Sequence, residues 1–401
     1  MEDIVAFLAK SIPIGNFKVK NRLSNLPMEA NDAEPDGSPG ERLRERYRAL
    51  GAGGWGIVYV EAISPDDRGK SRKNQMVIRE DNLDEFKKLV DAIHGASDPA
   101  PMVIFQINHA GRYALDPMPA YRSELLDSTW DITPGTPVAT TEELDEAAEH
   151  SARAVGLAAR AGADGVDLKC CHGYLAAELF RPANNRIDKY GIRFENRIRF
   201  FKSMLTAAAE AADEFGTVFG SRISLHENIH GGIGSLGVDG DEFDFENPSE
   251  LIDVLKDFGG SFVCETMGIP YFNPELVRPN SKQEDREDVL VRHHGIAGYV
   301  KSYMPEMKVI GAGYTPFGMR SIAYGVKNII SGDVDIIGYG RQSFADPETA
   351  KKIIDADLDA INWCAACPKN NCSTLLRAQS RVGCVVYDPA AREELKKLRN
   401  G

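Results

Sequence analysis

The chain has 401 residues, of which 43% are hydrophobic and 27% are charged, and its formal net charge is −13. This composition is ordinary for a folded globular protein and argues against disorder. The excess of acidic side chains disfavours nucleic acids and anionic membranes as partners, because neither would be attracted electrostatically. No run approaches the roughly 18 apolar residues of a membrane span, and the start of the chain lacks the features of a secretory signal. We therefore expect a cytoplasmic protein with no nucleic-acid or membrane partner.

Short β-rich runs alternate with longer helical patterns along the chain. The predicted strands are 22–27, 56–62, 102–107, 164–170, 218–227, 261–266, 308–311 and 334–338. The predicted helices are 41–50, 83–94, 144–161, 193–215, 248–258, 289–303, 317–324 and 347–356. Eight βα units in a row favour an α/β fold, the (β/α)8 TIM barrel. We assign the barrel to residues 1–356 and a short C-terminal extension to residues 357–401.

A parallel barrel of this kind makes a prediction about where its functional groups lie. They should cluster at the carboxyl ends of the strands, with phosphate bound after strands seven and eight. Three long connections, residues 64–82, 109–139 and 267–288, are typical of binding loops or lids. Thr140 and Glu143 have the spacing of a capping box at the start of the third helix.

Four of the seven cysteines fall in the predicted extension, at Cys364, Cys367, Cys372 and Cys384. Four thiolates at such short spacings suit either a [4Fe–4S] cluster or a tetrahedral zinc ion, and the spacing alone leaves both open. The other three, Cys170, Cys171 and Cys264, lie in apolar strand-like runs. We expect these three to be buried structural residues, because free cysteine behaves as a small hydrophobe.

Several distinct motifs follow one another along the predicted barrel. They are Asn21-Arg22-Leu23 to Pro27-Met28-Glu29, Gln106 to Arg112, His172-Gly173-Tyr174-Leu175 with Arg186 to Gly191, and Gly338-Tyr339-Gly340-Arg341. Together they resemble the Old Yellow Enzyme superfamily, in its iron–sulfur branch with 2,4-dienoyl-CoA reductase, 2-enoate reductase and trimethylamine dehydrogenase. The resemblance implies FMN in the barrel mouth, and it favours the [4Fe–4S] cluster over zinc in the cysteine segment.

The resemblance also implies a set of FMN-binding residues. They are Pro27, Met28, Glu29, Ala62, Gln106, Arg222, Gly311, Gly313, Gly340 and Arg341. Pro27, Met28 and Ala62 would line the flavin ring, while Gln106 and Arg222 would contact its pyrimidine edge, where positive charge stabilises the reduced form. The last four would form the phosphate site, because glycines let backbone N–H groups approach and arginine adds a forked donor.

Strand four is expected to carry the catalytic residues Lys169, His172 and Tyr174. By resemblance, His172 would hold the activating carbonyl of the substrate and Tyr174 would donate a proton. Lys169 departs from the family, which commonly has histidine there; it is either a cation for an anionic substrate or a desolvated acid with a lowered pKa. Glu29 stands where better-studied members have threonine or cysteine. Its carboxylate would disfavour the anionic reduced flavin, or else act as a base or pair with a substrate amine.

Four further histidines, near strand five and on a helical pattern, have no assigned role. His226 and His230 flank the end of strand five, on the side of the expected cavity. His293 and His294 lie on a helical pattern, and we expect them at the surface.

The favoured function is reduction of an activated carbon–carbon double bond in an enoate, enone or enoyl thioester, with hydride from reduced FMN and electrons passed through the cluster. The alternatives are an amine dehydrogenase or demethylase, and an electron-transfer subunit of a larger complex. Related reductases continue past the cluster into a region that takes hydride from NAD(P)H, whereas this chain ends soon after Cys384. We therefore expect NAD(P)H to act indirectly, through a separate redox protein. A homo-oligomer is compatible with the sequence.

Overall fold

The structure is a computed structural model that describes residues 2–130 and 132–400. Eight parallel strands close into one barrel, each paired with its neighbours in chain order and the eighth with the first. The strands are β1 Leu23–Asn25, β2 Ile57–Ile63, β3 Met102–Ile107, β4 Gly165–Leu168, β5 Val218–His226, β6 Phe262–Met267, β7 Lys308–Gly311 and β8 Ile336–Tyr339. All eight predicted strands are confirmed, and the fold is a (β/α)8 barrel.

Eight helices follow the strands and cover the outside of the barrel. They are α1 Glu41–Ala52, α2 Leu83–His94, α3 Thr141–Arg160, α4 Arg199–Phe215, α5 Glu246–Asp257, α6 Arg286–Tyr303, α7 Arg320–Ser331 and α8 Thr349–Ile354. The predicted helix 193–215 is divided, with a separate turn at Phe194–Arg197. The seventh helix begins later than predicted, because residues Thr315–Phe317 form a 3-10 turn and Gly318 has a φ of +54°.

The capping box at the start of α3 is confirmed. The Thr140 hydroxyl accepts a hydrogen bond from the Glu143 backbone N–H at 3.1 Å, and the Thr140 N–H donates to the Glu143 carboxylate at 2.9 Å. Both donors would otherwise lack a partner at the first turn of a helix.

An apolar cluster fills the amino-terminal end of the barrel. Ile57, Ile104, Phe262 and other strand residues pack there against an antiparallel hairpin, Ile12–Ile14 with Phe17–Val19. Nearly every strand residue is buried, as expected for a parallel sheet covered on both faces. The hairpin therefore covers the amino-terminal end of the barrel.

Shorter elements decorate this frame. The remaining helices are Glu2–Leu8, Glu124–Asp127, Leu175–Phe180, Phe194–Arg197, Pro274–Val277, Gln342–Ala345, Asn371–Arg377 and Pro389–Asn400, and a second hairpin joins Ser235–Leu236 to Glu242–Phe243. In the C-terminal segment, Leu375, Val382, Ala391 and Leu395 form a small apolar cluster of their own. The Val382 N–H donates to the Ala30 carbonyl, which ties this segment to the loop after β1.

Two further predictions concern three cysteines and membrane-spanning helices. Cys170, Cys171 and Cys264 are each 0% exposed, which confirms them as buried residues. In residues 2–130 and 132–400, no helix is long and apolar enough to cross a membrane.

Candidate functional site

One large cavity opens at the carboxyl ends of the strands, with a volume of about 1100 Å³ including its mouth. Seven strand ends or loops and the C-terminal segment contribute to its wall. The lining residues that carry the argument are Pro27, Met28, Glu29, Arg72, Lys169, His172, Tyr174, Arg222, Tyr271, Arg278, Gly313, Gly340, Arg341, Cys372 and Arg377. This is the place that the barrel predicts for a ligand site.

One side of the cavity fits the flavin and phosphate of FMN. Pro27 and Met28 offer an apolar surface after β1, and the buried Arg222 on β5 has an Nε atom without a hydrogen-bond partner among the described residues. Gly313, with a φ of +86°, and Gly340 leave backbone space after β7 and β8; a Cβ on Gly340 would lie 3.3 Å from the Met28 sulfur. An unpaired buried guanidinium needs an acceptor, and an anionic pyrimidine edge supplies one.

Three of the predicted FMN residues do not reach the cavity wall in the described structure. Ala62, Gln106 and Gly311 lie on β2, β3 and β7, and the Gln106 amide donates to the Asp167 carboxylate at 2.5 Å. Burial raises the pKa of Asp167, and hydrogen bonds from Gln106 oppose that effect. Contact of these three residues with FMN stays a prediction.

His172 lines the same cavity, in a strained backbone conformation with a φ of +61°. Its N–H donates to the Ser224 hydroxyl at 2.9 Å, and its Nε2 lies 3.0 Å from the Thr266 hydroxyl. Burial lowers the pKa of His172 well below its usual range, and the cations Arg222 and Lys169 add to that effect. The imidazole is therefore neutral and oriented by its neighbours.

Lys169 lies beside His172 and is only 6% exposed. Its ammonium group sits 4.1 Å from the centre of the Tyr174 ring. Burial lowers the pKa of Lys169, while the charge of Glu29 opposes the shift. Both interpretations of Lys169, as a cation for an anionic substrate and as an amine with a lowered pKa, agree with this burial.

Tyr174 belongs to a chain of polar groups that the sequence did not predict. The Tyr174 and Tyr271 hydroxyls are 2.8 Å apart, and Arg72 Nη2 donates to the Tyr271 hydroxyl at 2.8 Å. Arg72 Nε lies 3.4 Å from Glu29 Oε2. Burial raises the pKa of Tyr174 well above its usual range, so the phenol is protonated. Arg72 and Tyr271 come from two of the long loops predicted to bind ligand, but no motif singled them out.

The four cysteines of the C-terminal segment surround a second, smaller cavity of about 360 Å³. Arg341 and Cys372 line both cavities, so the two are neighbours. Among the described residues, no three His, Cys, Asp or Glu side chains lie close enough to hold a metal ion as they stand. Burial raises the pKa of Cys364 to about 11.

The expectation that His293 and His294 are surface residues is wrong. They are 1% and 4% exposed, because α6 packs these side chains onto the barrel. His293 Nδ1 contacts the Glu265 carboxylate at 3.2 Å, and His294 Nε2 lies 3.1 Å from the Ala312 carbonyl. His226 does not line the cavity; its Nε2 lies 3.2 Å from the Gly240 carbonyl.

The closed barrel and the cavity at its carboxyl end define a class of protein, the flavin-binding barrel oxidoreductases. The model of the NADH:flavin oxidoreductase / NADH oxidase family matches residues 8–357. The chain belongs to this family of FMN-dependent enzymes.

Individual relatives agree with this assignment. The chain is 28% identical over 393 residues to an NADH oxidase of Thermoanaerobacter brockii, a match that covers 95% of the chain and 56% of the relative. It is 27% identical over 356 residues to an NADH:acrylate oxidoreductase of Vibrio harveyi, covering 86% of the chain and 32% of the relative. A solved 2-naphthoyl-CoA reductase with 2-naphthoyl-CoA matches at a TM-score of 0.78 and 24% identity, over 98% of this chain and 58% of the other. That structure supports the fold alone. The chain spans 56% of the NADH oxidase, 32% of the NADH:acrylate oxidoreductase and 58% of the 2-naphthoyl-CoA reductase.

Proposed function

We propose that the protein reduces an activated carbon–carbon double bond. The observation that carries the proposal is the meeting of Lys169, His172 and Tyr174 in the cavity that also holds the surface that fits FMN. FMN, when bound, supplies the hydride chemistry. The Vibrio harveyi relative is named for acrylate, a compound with such a double bond.

The residues of this chain then have distinct tasks. His172 and Lys169 hold the oxygen of the activating group, and their hydrogen bonds polarise it. Tyr174, whose hydroxyl keeps its proton, delivers that proton to the α carbon as a general acid. Tyr271 is half-buried and hydrogen-bonded to the Tyr174 hydroxyl, so it returns a proton to Tyr174 from the solvent side.

An amine substrate has less support. Glu29 was the reason to expect one, but its carboxylate faces Arg72, and the cavity wall carries six Lys or Arg side chains and a single acidic one. A cationic amine would be repelled by such a wall.

The experiment uses the FMN-loaded protein after photoreduction under anaerobic conditions. Enoates, enones and enoyl thioesters are added in turn, and flavin absorbance is followed. We expect at least one of these classes to reoxidise the flavin. If none does, while primary and tertiary amines bleach the oxidised flavin, the proposal is wrong.

We also propose that residues 357–401 form an extension that binds a [4Fe–4S] cluster through Cys364, Cys367, Cys372 and Cys384. The support is that all four line one small cavity beside the FMN site. The four thiols would also suit a tetrahedral zinc ion, and the resemblance of the chain to the iron–sulfur branch favours the cluster.

The cluster proposal has a compositional test. Replacing any one of the four cysteines with serine should strip iron from the anaerobically purified protein and leave FMN bound. Cys264→Ser, a buried cysteine elsewhere in the barrel, is the matched control and should keep its iron. One equivalent of zinc without acid-labile sulfide would contradict the proposal.

A redox partner follows from the cluster. An iron–sulfur cluster transfers single electrons and does not accept hydride, so we propose that a separate redox protein exchanges electrons with it and that NAD(P)H acts indirectly. The position of Cys372 on the walls of both cavities supports this arrangement.

A further inference from the structure

We infer that the substrate's activating group is a carboxylate, with Lys169 as its counterion, so that the site selects 2-enoates over neutral enones and thioesters. The inference rests on the proposed double-bond reduction. It starts from charge. In a protein of net charge −13, the cavity wall carries one acidic side chain, Glu29, against six basic ones: Arg72, Lys169, Arg222, Arg278, Arg341 and Arg377.

Most of these cations have other partners or another location. Arg341 donates to the Asn370 side chain and to the Pro279 carbonyl, at the phosphate side. Arg278 donates to the Pro270 carbonyl but keeps a buried Nε without a hydrogen-bond partner among the described residues, and Arg377 is exposed. Arg222 belongs to the FMN side.

The charged lining residues that act on the catalytic side chains are Glu29, Arg72, Lys169, Arg222 and Arg278. Arg72 and Glu29 face each other at 3.4 Å and offset each other's charge. Lys169 has no ion pair or hydrogen-bond partner within residues 2–130 and 132–400, although it is 6% exposed. Lys169 therefore places a positive charge beside His172 and Tyr174 that no ion pair offsets, and the charges of Arg222 and Arg278 add to it.

No other neighbour neutralises this charge. Burial raises the pKa of the Cys171 thiol to about 12, so it stays uncharged. The Asp167 carboxyl is buried and raised in pKa, and its oxygens accept from Gln106 and the Arg222 N–H. His172 is neutral, and Arg222 is a cation, which repels the ammonium.

A buried ammonium without a counterion is costly, and the lysine responds by losing its proton. The carbonyl oxygen of a ketone or thioester offers Lys169 one hydrogen bond but no negative charge. A carboxylate conjugated to the double bond offers a single negative charge at the atom that must be polarised. Carboxylate binding should therefore draw a proton onto Lys169.

The test is calorimetric titration of the oxidised, FMN-loaded protein with crotonate and with its neutral analogue methyl crotonate, in two buffers of different ionisation enthalpy at about pH 8. We expect crotonate, but not the ester, to bind with net proton uptake. Crotonate should bind roughly tenfold or more tightly than the ester, the range of a charge-assisted hydrogen bond.

Two variants separate charge from shape. Lys169→Arg, whose guanidinium is always protonated, should keep the preference for crotonate and lose the proton uptake. Lys169→Met, of similar length, should lose both. Flavin absorbance verifies that each variant is folded and loaded.

The possible failures are distinguishable. If the photoreduced protein reduces enones or thioesters but crotonate binds no better than methyl crotonate, the carboxylate inference is wrong while the double-bond reduction stands. If it reduces none of these compounds, the proposed function itself fails. Preference for crotonate that persists in Lys169→Met would also overturn the role of Lys169.

Discussion

Glu265 lies near the phosphate side of the cavity. We predict that Glu265→Gln reverses the pH dependence of the free energy of unfolding. Glu265 and His293 are both fully buried, with carboxylate and Nδ1 3.2 Å apart. His293 Nε2 lies 2.7 Å from the Leu276 carbonyl, and the Glu265 carboxylate also accepts from the Ala312 N–H at 2.6 Å. Since carboxylate and carbonyl both accept, both nitrogens of His293 donate, and the ring is protonated. Burial alone would lower the pKa of His293, but the Glu265 carboxylate and the Leu276 carbonyl together raise it. Burial likewise would raise the pKa of Glu265, but His293 lowers it.

In the variant, a glutamine amide accepts from the Ala312 N–H and donates to a neutral His293. All hydrogen bonds are kept, but burial now lowers the pKa of His293 instead of raising it. The ordinary pKa of histidine is about 6.5. The contribution of His293 to the wild type is complete below that value and is lost as the pH rises through the raised folded pKa. The contribution of Glu265 to stability is lost only in acid, as the pH falls below the ordinary pKa range of a carboxyl group.

The variant has the opposite slope, because its unfolded state takes up a proton below about pH 6.5 that the folded state refuses. The difference in unfolding free energy between the two proteins should change by about 1.4 kcal/mol per pH unit, or about 2.7 kcal/mol between pH 7.5 and pH 5.5, while both folded pKa values lie outside this window.

The assay is urea unfolding of both proteins without FMN across this pH range. Glu287→Gln is the matched control: it lies on the same helix, α6, but its ion pair with Arg320 is exposed. We expect the control to stay within about 1 kcal/mol of the wild type with the same slope. Parallel curves for the wild type and Glu265→Gln would refute the charged pair.

Three other predictions concern turnover and cofactor binding. Tyr174→Phe should slow reduction of the substrate by roughly two orders of magnitude or more with FMN retained, as expected for loss of a general acid; unchanged turnover would remove that role. Gly313→Ala should weaken FMN binding in a fluorescence titration, because Gly313 has a φ of +86° and a Cβ would lie 2.6 Å from Leu290 Cδ2; an unchanged Kd would contradict the phosphate assignment. In stopped-flow mixing, NADH and NADPH should bleach the flavin slowly; rapid bleaching that survives removal of the cluster would make a redox partner unnecessary.

Local rules in the sequence determined the frame of this protein. Residues 102–107 and 308–311 were predicted as strands with the observed bounds, because a strand buried on both faces reads as an apolar run between polar ends. The Thr140 and Glu143 cap depends on four consecutive residues and could be predicted for the same reason. The positions of the three long loops followed from the strands, and with them the end of the barrel that carries the cavity.

Only the tertiary structure decided which side chains meet in the cavity. Arg72 and Tyr271 are 199 positions apart along the chain, and neither belongs to a motif. The burial of His293 depends on Glu265, which lies on another element 28 positions away. The converse holds for Ala62, Gln106 and Gly311: the family resemblance identified them, but other residues form the cavity wall. Sequence patterns report local periodicity, whereas the direction of a side chain and its charge partners depend on contacts between distant segments.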